Sequence, residues 1–248
     1  MSQTRNLESA PRLTAASVRR EADALRDPQR ATFLQGFFRT GPGEYGEGDR
    51  FLGLTVPQQR GIARQFRNLP LKDIEKLLLS PFHEHRLIAL LILVALHSAR
   101  GSTAEQRGEL HRFYLDHLDA VNNWDLVDTS AAALVGEHIA GNSGLLAELV
   151  TSENLWNRRI AIVSTFAELR AGRTALTFEM AEQLLGDRED LIHKATGWLL
   201  REAGKVSVAE LLHFLRTHYP RIPRTALRYA IERLEPAERK AWLAGPQP

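Results

Sequence analysis

The chain has 248 residues, 44% of them hydrophobic, enough to bury a sizeable core as one large domain or two small ones. It contains no cysteine, which excludes disulfides, thiolate zinc sites, a thiol nucleophile and any reaction that moves an alkyl group onto the protein's own sulfur. The net charge of +2 does not establish a nucleic-acid partner, although only five of the 32 basic residues are lysine and an arginine-rich surface suits bidentate contact with phosphate.

Residues 1–13 read as a flexible tail. They lack the basic start, apolar middle and small-residue cleavage site of a secretory signal, so a cytoplasmic protein is expected. From Thr14 the spacing is helical, with Val18, Ala22 and Leu25 on one stripe. Asp27-Pro28 reads as an N-cap followed by proline at the first helical position, opening a second helix through Phe33, Leu34, Phe37 and Phe38. The segment Thr40 to Asp49, with four glycines and a proline, breaks any regular element. It reads equally as a long connector and as a loop whose backbone approaches a ligand. Thr55-Val-Pro57 restarts a helix carrying Ile62, Ala63 and Phe66.

From there the period stays near 3.6, predicting helices over 71–79, 84–99, 104–120, 124–139, 144–151, 155–169, 176–186, 190–203, 207–218, 223–233 and 236–243, and no strand. The longest apolar run, Leu87 to Leu96, is too short to span a bilayer and reads as a buried helix. One repeat domain is expected over 14–243, with a short tail over 244–248. Alternate helices, opening near Glu84, Trp124, Trp156, Leu191 and Pro223, start 32 to 40 residues apart, the interval of helix-pair repeats that stack into a solenoid. Their early residues include His85 and Arg86, Arg158 and Arg159, His193 and Lys194, and Arg224 and Arg228. Arg159, Lys194 and Arg228 are separated by 35 and 34 residues, so equivalent positions would align as a basic stripe matching the repeat of backbone phosphates. A solvated rim of charges gives the same pattern.

Several chemistries lack support. His83-Glu84-His85 places its imidazoles on different sides of a helix, and no His-Glu-x-x-His follows. His117-Leu-Asp119 has the local spacing of an iron-binding pair but no β-barrel to hold it. There is no P-loop, dinucleotide fingerprint or Gly-x-Ser-x-Gly elbow. No metal or cofactor is expected. Three segments remain that a repeat could bring to one groove: Trp124-Asp-Leu-Val-Asp128, Leu155-Trp-Asn-Arg-Arg159, and Lys194-Ala-Thr-Gly-Trp198-Leu-Leu-Arg201-Glu202. Four residues apart, the Trp124 indole and the Asp128 carboxylate share a helix face. Trp156 reads as core, and Arg201 with Glu202 also fits a surface ion pair.

In order and separation, these three segments resemble the motifs of the AlkD-like DNA alkylation-repair family, and Phe51-Leu-Gly-Leu54 with Pro57 and Arg60 is similar to its N-terminal part. The resemblance covers residues 14 to 233. It implies an all-α fold, a HEAT-like helical-repeat solenoid of antiparallel helix pairs forming a curved superhelix. The implied activity is cofactor-free glycosylase chemistry on cationic N-alkylated purines such as 3-methyladenine and 7-methylguanine in double-stranded DNA. By position, Asp128 matches the catalytic carboxylate, Trp124 and Trp198 the aromatic pair flanking the lesion, and Arg159 the arginine near phosphate and acid. Arg86, Arg158, Lys194, Arg201, Arg224 and Arg228 are expected to contact DNA, and the protein to act as a monomer. Asn123 stands where some active members have another tryptophan. Either Phe38 or Tyr45 stands in for an N-terminal tyrosine. The alternative is a HEAT-repeat protein without catalysis, binding branched or damaged DNA or another protein.

Overall fold

The computed structural model describes residues 13–139 and 144–246. Among these residues the protein is all-α, a helical repeat of packed helix pairs, with fifteen α-helices, two 3-10 turns and no strand beyond one bridge between Arg50 and Phe82. None of those helices is long and apolar enough to cross a membrane. The expected N-terminal tail lies outside the described residues except for Leu13, and of the expected C-terminal tail residues 244–246 are described, the first of them closing a helix that runs on to Ala244. The chain forms two compact units, one up to Leu96 and one from His97.

In the first unit the punctuation is that of the sequence. Helix α1 (Ala15–Ala24) is capped by Thr14, α2 (Pro28–Phe37) by Asp27 with proline in its first turn, and α3 (Val56–Gln65) by a reciprocal capping box between Thr55 and Gln58. After α4 (Leu71–Leu78) comes α5 (His83–His97), buried nearly all round through Leu87, Ile88, Ala89, Leu90, Ile92 and Leu93. Because this helix is enclosed, the charged residues of its first turn are buried too and must find partners. The Glu84 carboxylate accepts from the backbone N–H groups of Leu52, Gly53 and Leu54 at 2.9, 2.8 and 3.2 Å. Gly53 has φ +92°, and a Cβ there would lie 2.1 Å from the Asp27 carbonyl oxygen, so the turn tolerates only glycine.

His83 and Arg86 both bond Asp49, the last residue of the glycine-rich segment, and Arg86 also donates to the Ser80 carbonyl at 3.0 Å. Burial works against the Asp49 charge, but His83 and Arg86 together hold its carboxyl below the usual aspartate range. The segment before it contains no helix or strand, and its far end is thereby pinned to α5.

The second unit contains α6 (Ala104–Leu115), α7 (Trp124–Leu134), α8 (Gly144–Val150), α9 (Leu155–Ser164), α10 (Phe166–Arg170), α11 (Ala175–Leu184), α12 (Asp190–Val206), α13 (Val208–His218), α14 (Arg224–Ala230) and α15 (Pro236–Ala244). Helices α7, α9, α12 and α14 pack in series, each against the next, while α8, α11 and α13 pack against members of that row. The helix expected over 155–169 divides at Thr165, whose hydroxyl donates to the Ile162 carbonyl. Those expected over 104–120 and 124–139 end in 3-10 turns at Leu118–Ala120 and Gly136–His138. Trp156 is core. Helices α12 and α14 approach so closely that a Cβ on Gly197 would lie 2.4 Å from the Ala226 carbonyl oxygen.

Candidate active site

The opening turn of α7 is set by Asn123, which is fully buried, extended, and accepts the Trp124 N–H at 2.9 Å. This side-chain cap starts the helix where the indole and Asp128 come to share a face. Leu126, Val127, Ser130 and Ala131 fill the buried side, and Trp124, Asp125 and Asp128 lie half-buried at its edge. Ser130 donates to the Leu126 carbonyl at 2.6 Å and bonds the fully buried Tyr114 hydroxyl at 2.9 Å, so the floor beneath Asp128 is satisfied.

Arg159, one turn into α9, completes the site. Its Nε and one terminal nitrogen donate to the two Asp128 oxygens at 2.9 and 2.8 Å, and its other terminal nitrogen donates to the Leu191 carbonyl of α12. One guanidinium therefore ties three consecutive members of the stacked row together, in the planar two-bond geometry that only arginine supplies. The arginine side chain is 6% exposed, whereas the Asp128 side chain keeps 23%. Burial pushes the Asp128 carboxyl above the usual aspartate range, Arg159 pulls it back, and Asp125 adds to the rise. The product is an acid fixed in direction by bonds to both oxygens and still partly exposed.

Trp198 lies on α12, against which α9 packs, with its half-buried ring 5.9 Å from that of Phe166. The Phe166 ring in turn carries the Arg170 guanidinium at 4.7 Å. Phe166 is a neighbour the sequence did not single out, because it enters through the unexpected break between α9 and α10.

The basic residues expected to face phosphate are mostly occupied. Arg86 is the clear correction: it is buried, in the first unit, and spends its donors on Asp49 and Ser80. Arg158 pairs with Asp187 at 2.6 Å and also donates to the Ser152 and Glu153 carbonyls. Beside this pair opens a cleft of about 510 Å³ lined by Ser152, Glu153, Arg158 and residues 186–189, which include neither Asp128 nor an indole. Lys194 pairs with Asp190 at 2.8 Å, Arg201 with Glu202 and Glu232, and Arg224 donates to the Leu243 carbonyl. Arg228 is exposed on α14. Of the two N-terminal aromatic candidates, Phe38 is buried between Phe51 and His83, and the Tyr45 hydroxyl donates to the Phe37 carbonyl at 3.3 Å.

The family model for the DNA alkylation repair enzymes matches residues 18–234. By structure the chain is similar to a predicted DNA alkylation repair enzyme from Enterococcus faecalis, with a TM-score of 0.67 at 18% identity over 85% of this chain and 97% of that one. No curated protein sequence matches.

Proposed function

We propose that this chain, which belongs to the DNA alkylation repair enzyme family, is a monofunctional glycosylase that hydrolyses the N-glycosidic bond of cationic N-alkylated purines in duplex DNA. The observation that carries this reading is the Asp128–Arg159 pair, in which an arginine-held aspartate keeps 23% of its side chain exposed, four residues along α7 from Trp124 and on the same helix face. Alkylation of a ring nitrogen places positive charge on the purine, so the base departs without a strong general acid. What then needs help is the oxocarbenium-like sugar and the incoming water. A carboxylate about 4 Å from that cation contributes roughly 4 kcal/mol at an effective dielectric near 20, about a thousandfold in rate.

In this mechanism Asp128 faces the sugar cation and orients water, and Arg159 fixes its direction. Trp124 and Trp198 lie against sugar and base, where an indole face contributes on the order of 1 kcal/mol toward a cation. Selection of cationic lesions then follows from charge rather than from a pocket that reads the base, and deep base flipping is not required. No lysine is assigned a nucleophilic role, so abasic DNA is released without strand cleavage.

The test is release of free base from duplex containing 7-methylguanine by the wild type and by Asp128→Asn. Loss of about a thousandfold in the variant, with duplex binding retained, is the expected result. A second reading, DNA binding without catalysis, is favoured by one observation: both Asp128 oxygens already hold a partner. Wild-type binding without any base release would select it.

A further inference from the structure

In the second unit, most of the basic residues expected to hold phosphate are matched to acids or backbone carbonyls. The first unit contains the opposite arrangement. Arg60, Arg64 and Arg67 lie along α3 and the turn after it, all exposed, and among the described residues none of their side chains has a hydrogen bond or an ion pair. With Ala63 they line a cleft of about 350 Å³ to which α5 contributes Leu91 and Ala95. The surrounding sequence is one-sided: from Arg50 to Lys72 there are five basic residues and not one Asp or Glu, although the whole chain is only +2. Three like charges at successive turns, with no counter-ion supplied by the protein, repel one another and are relieved by an external polyanion.

We infer that this face of α3 is a docking surface for the phosphodiester backbone of duplex DNA, an inference that rests on DNA being the partner proposed above. Arg60 and Arg64, i and i+4 on one helix face, are about 6 Å apart at 1.5 Å rise per residue, and Arg67, in the turn after the helix, lines the same cleft and extends the row to about 10 Å. Each strand of a duplex carries one phosphate per about 3.4 Å of helix axis, so a row of that length faces several phosphates. Arginine forks take phosphate oxygens in pairs, and the Leu91–Ala95 floor of the cleft leaves them no competing acid.

The experiment is binding of an undamaged duplex, followed by fluorescence anisotropy across a salt series. It compares wild type, the triple variant R60Q/R64Q/R67Q, and R233Q/R239Q/K240Q, which removes equal charge from exposed positions near the C-terminus. Glutamine keeps bulk and polarity, and thermal melts confirm that each variant is folded. The expected result is that the α3 variant flattens the slope of log affinity against log salt by about 2 to 3, while the C-terminal variant leaves it near the wild-type value. An unchanged slope in the folded α3 variant, with wild type binding steeply, overturns the docking surface and leaves the proposed function standing. Equal flattening by both variants reduces the effect to bulk charge and also overturns it. Polyglutamate displacing duplex at equal charge concentration would make the face a reader of acidic polypeptides instead. If the wild type fails to bind duplex at all, this inference and the proposed function fall together.

Discussion

Replacing Arg159 with lysine keeps the positive charge and removes the fork, and so asks whether the direction of Asp128 matters beyond its charge. The native guanidinium makes two bonds to Asp128, at 2.9 and 2.8 Å, and one to the Leu191 carbonyl, from a side chain only 6% exposed. An ammonium cannot span two carboxylate oxygens in one plane and reach a carbonyl on a third helix. At least one charge-assisted bond is lost, worth about 1.5 to 3 kcal/mol, and Asp128 is exposed enough for water to replace part of it. A net cost of about 2 kcal/mol corresponds to a melting temperature about 4 to 8 °C lower for a chain of this size. Base release should fall roughly a hundredfold, the scale of a misplaced catalytic group, while duplex binding changes little.

A pH series adds a readout that a merely structural arginine would not move. Burial raises the Asp128 carboxyl and Arg159 opposes the rise, so weakening Arg159 lets it climb further. On the proposed mechanism the ionised carboxylate is the active form, so the acid limb of base release should shift to higher pH in Arg159→Lys, and further in Arg159→Met. A folded Arg159→Lys with wild-type rate and an unmoved acid limb would refute the positioning role.

Glu84→Ala leaves three buried N–H groups without an acceptor, at about 1 to 3 kcal/mol each, and urea unfolding should show a loss of at least 3 kcal/mol, with Glu84→Gln in between. Gly197→Ala forces a methyl to within 2.4 Å of the Ala226 carbonyl oxygen unless α12 and α14 part, and about 1 to 3 kcal/mol of stability should be lost, with a changed Trp198 emission. Burial lowers the His85 imidazole to about 4. Between that value and the ordinary 6.5 the unfolded chain binds the extra proton, so stability is full above the ordinary value and is lost as pH falls through this window. The full loss is about 3 kcal/mol at 1.36 kcal/mol per unit, and urea midpoints from pH 7 to 4 should drop less in His85→Gln than in wild type.

Helix starts were legible wherever a side chain caps them, because the signal is local: Thr14, Asp27 with Pro28, Thr55 and Asn123 each begin a helix within a residue of the expected position. Contacts across 30 residues were not. Nothing near Glu84 announces that its carboxylate holds residues 52–54, and nothing near Arg159 announces Asp128 except the resemblance of the whole segment order. The misreading of Arg86 has a correctable cause. A helix apolar on every side, as Leu87 to Leu96 already indicates, is buried from its first turn, so polar residues there belong to internal networks rather than to a rim. The cationic face of α3 was visible as a stretch free of acids, but periodicity weighs apolar positions and passes over it.

A carboxylate meant to act on DNA faces a conflict, because the phosphates that bring the substrate repel it. Pairing Asp128 with Arg159 resolves the conflict in the ground state: the two together are neutral toward the approaching backbone. The partly exposed carboxylate exerts its attraction only at short range, where on the proposed mechanism a sugar cation develops. The same logic accounts for the acids matched to Arg158, Lys194 and Arg201, which neutralise these bases within α12 or between a helix and the segment beside it without adding net charge. Affinity for a polyanion must then come from bases left without such partners, and α3 with the turn after it presents three on one cleft. Under the proposed activity the two requirements are therefore separable. Neutralising the α3 arginines should weaken duplex binding while base release at saturating protein keeps its rate, and changes at Asp128 or Arg159 should do the reverse.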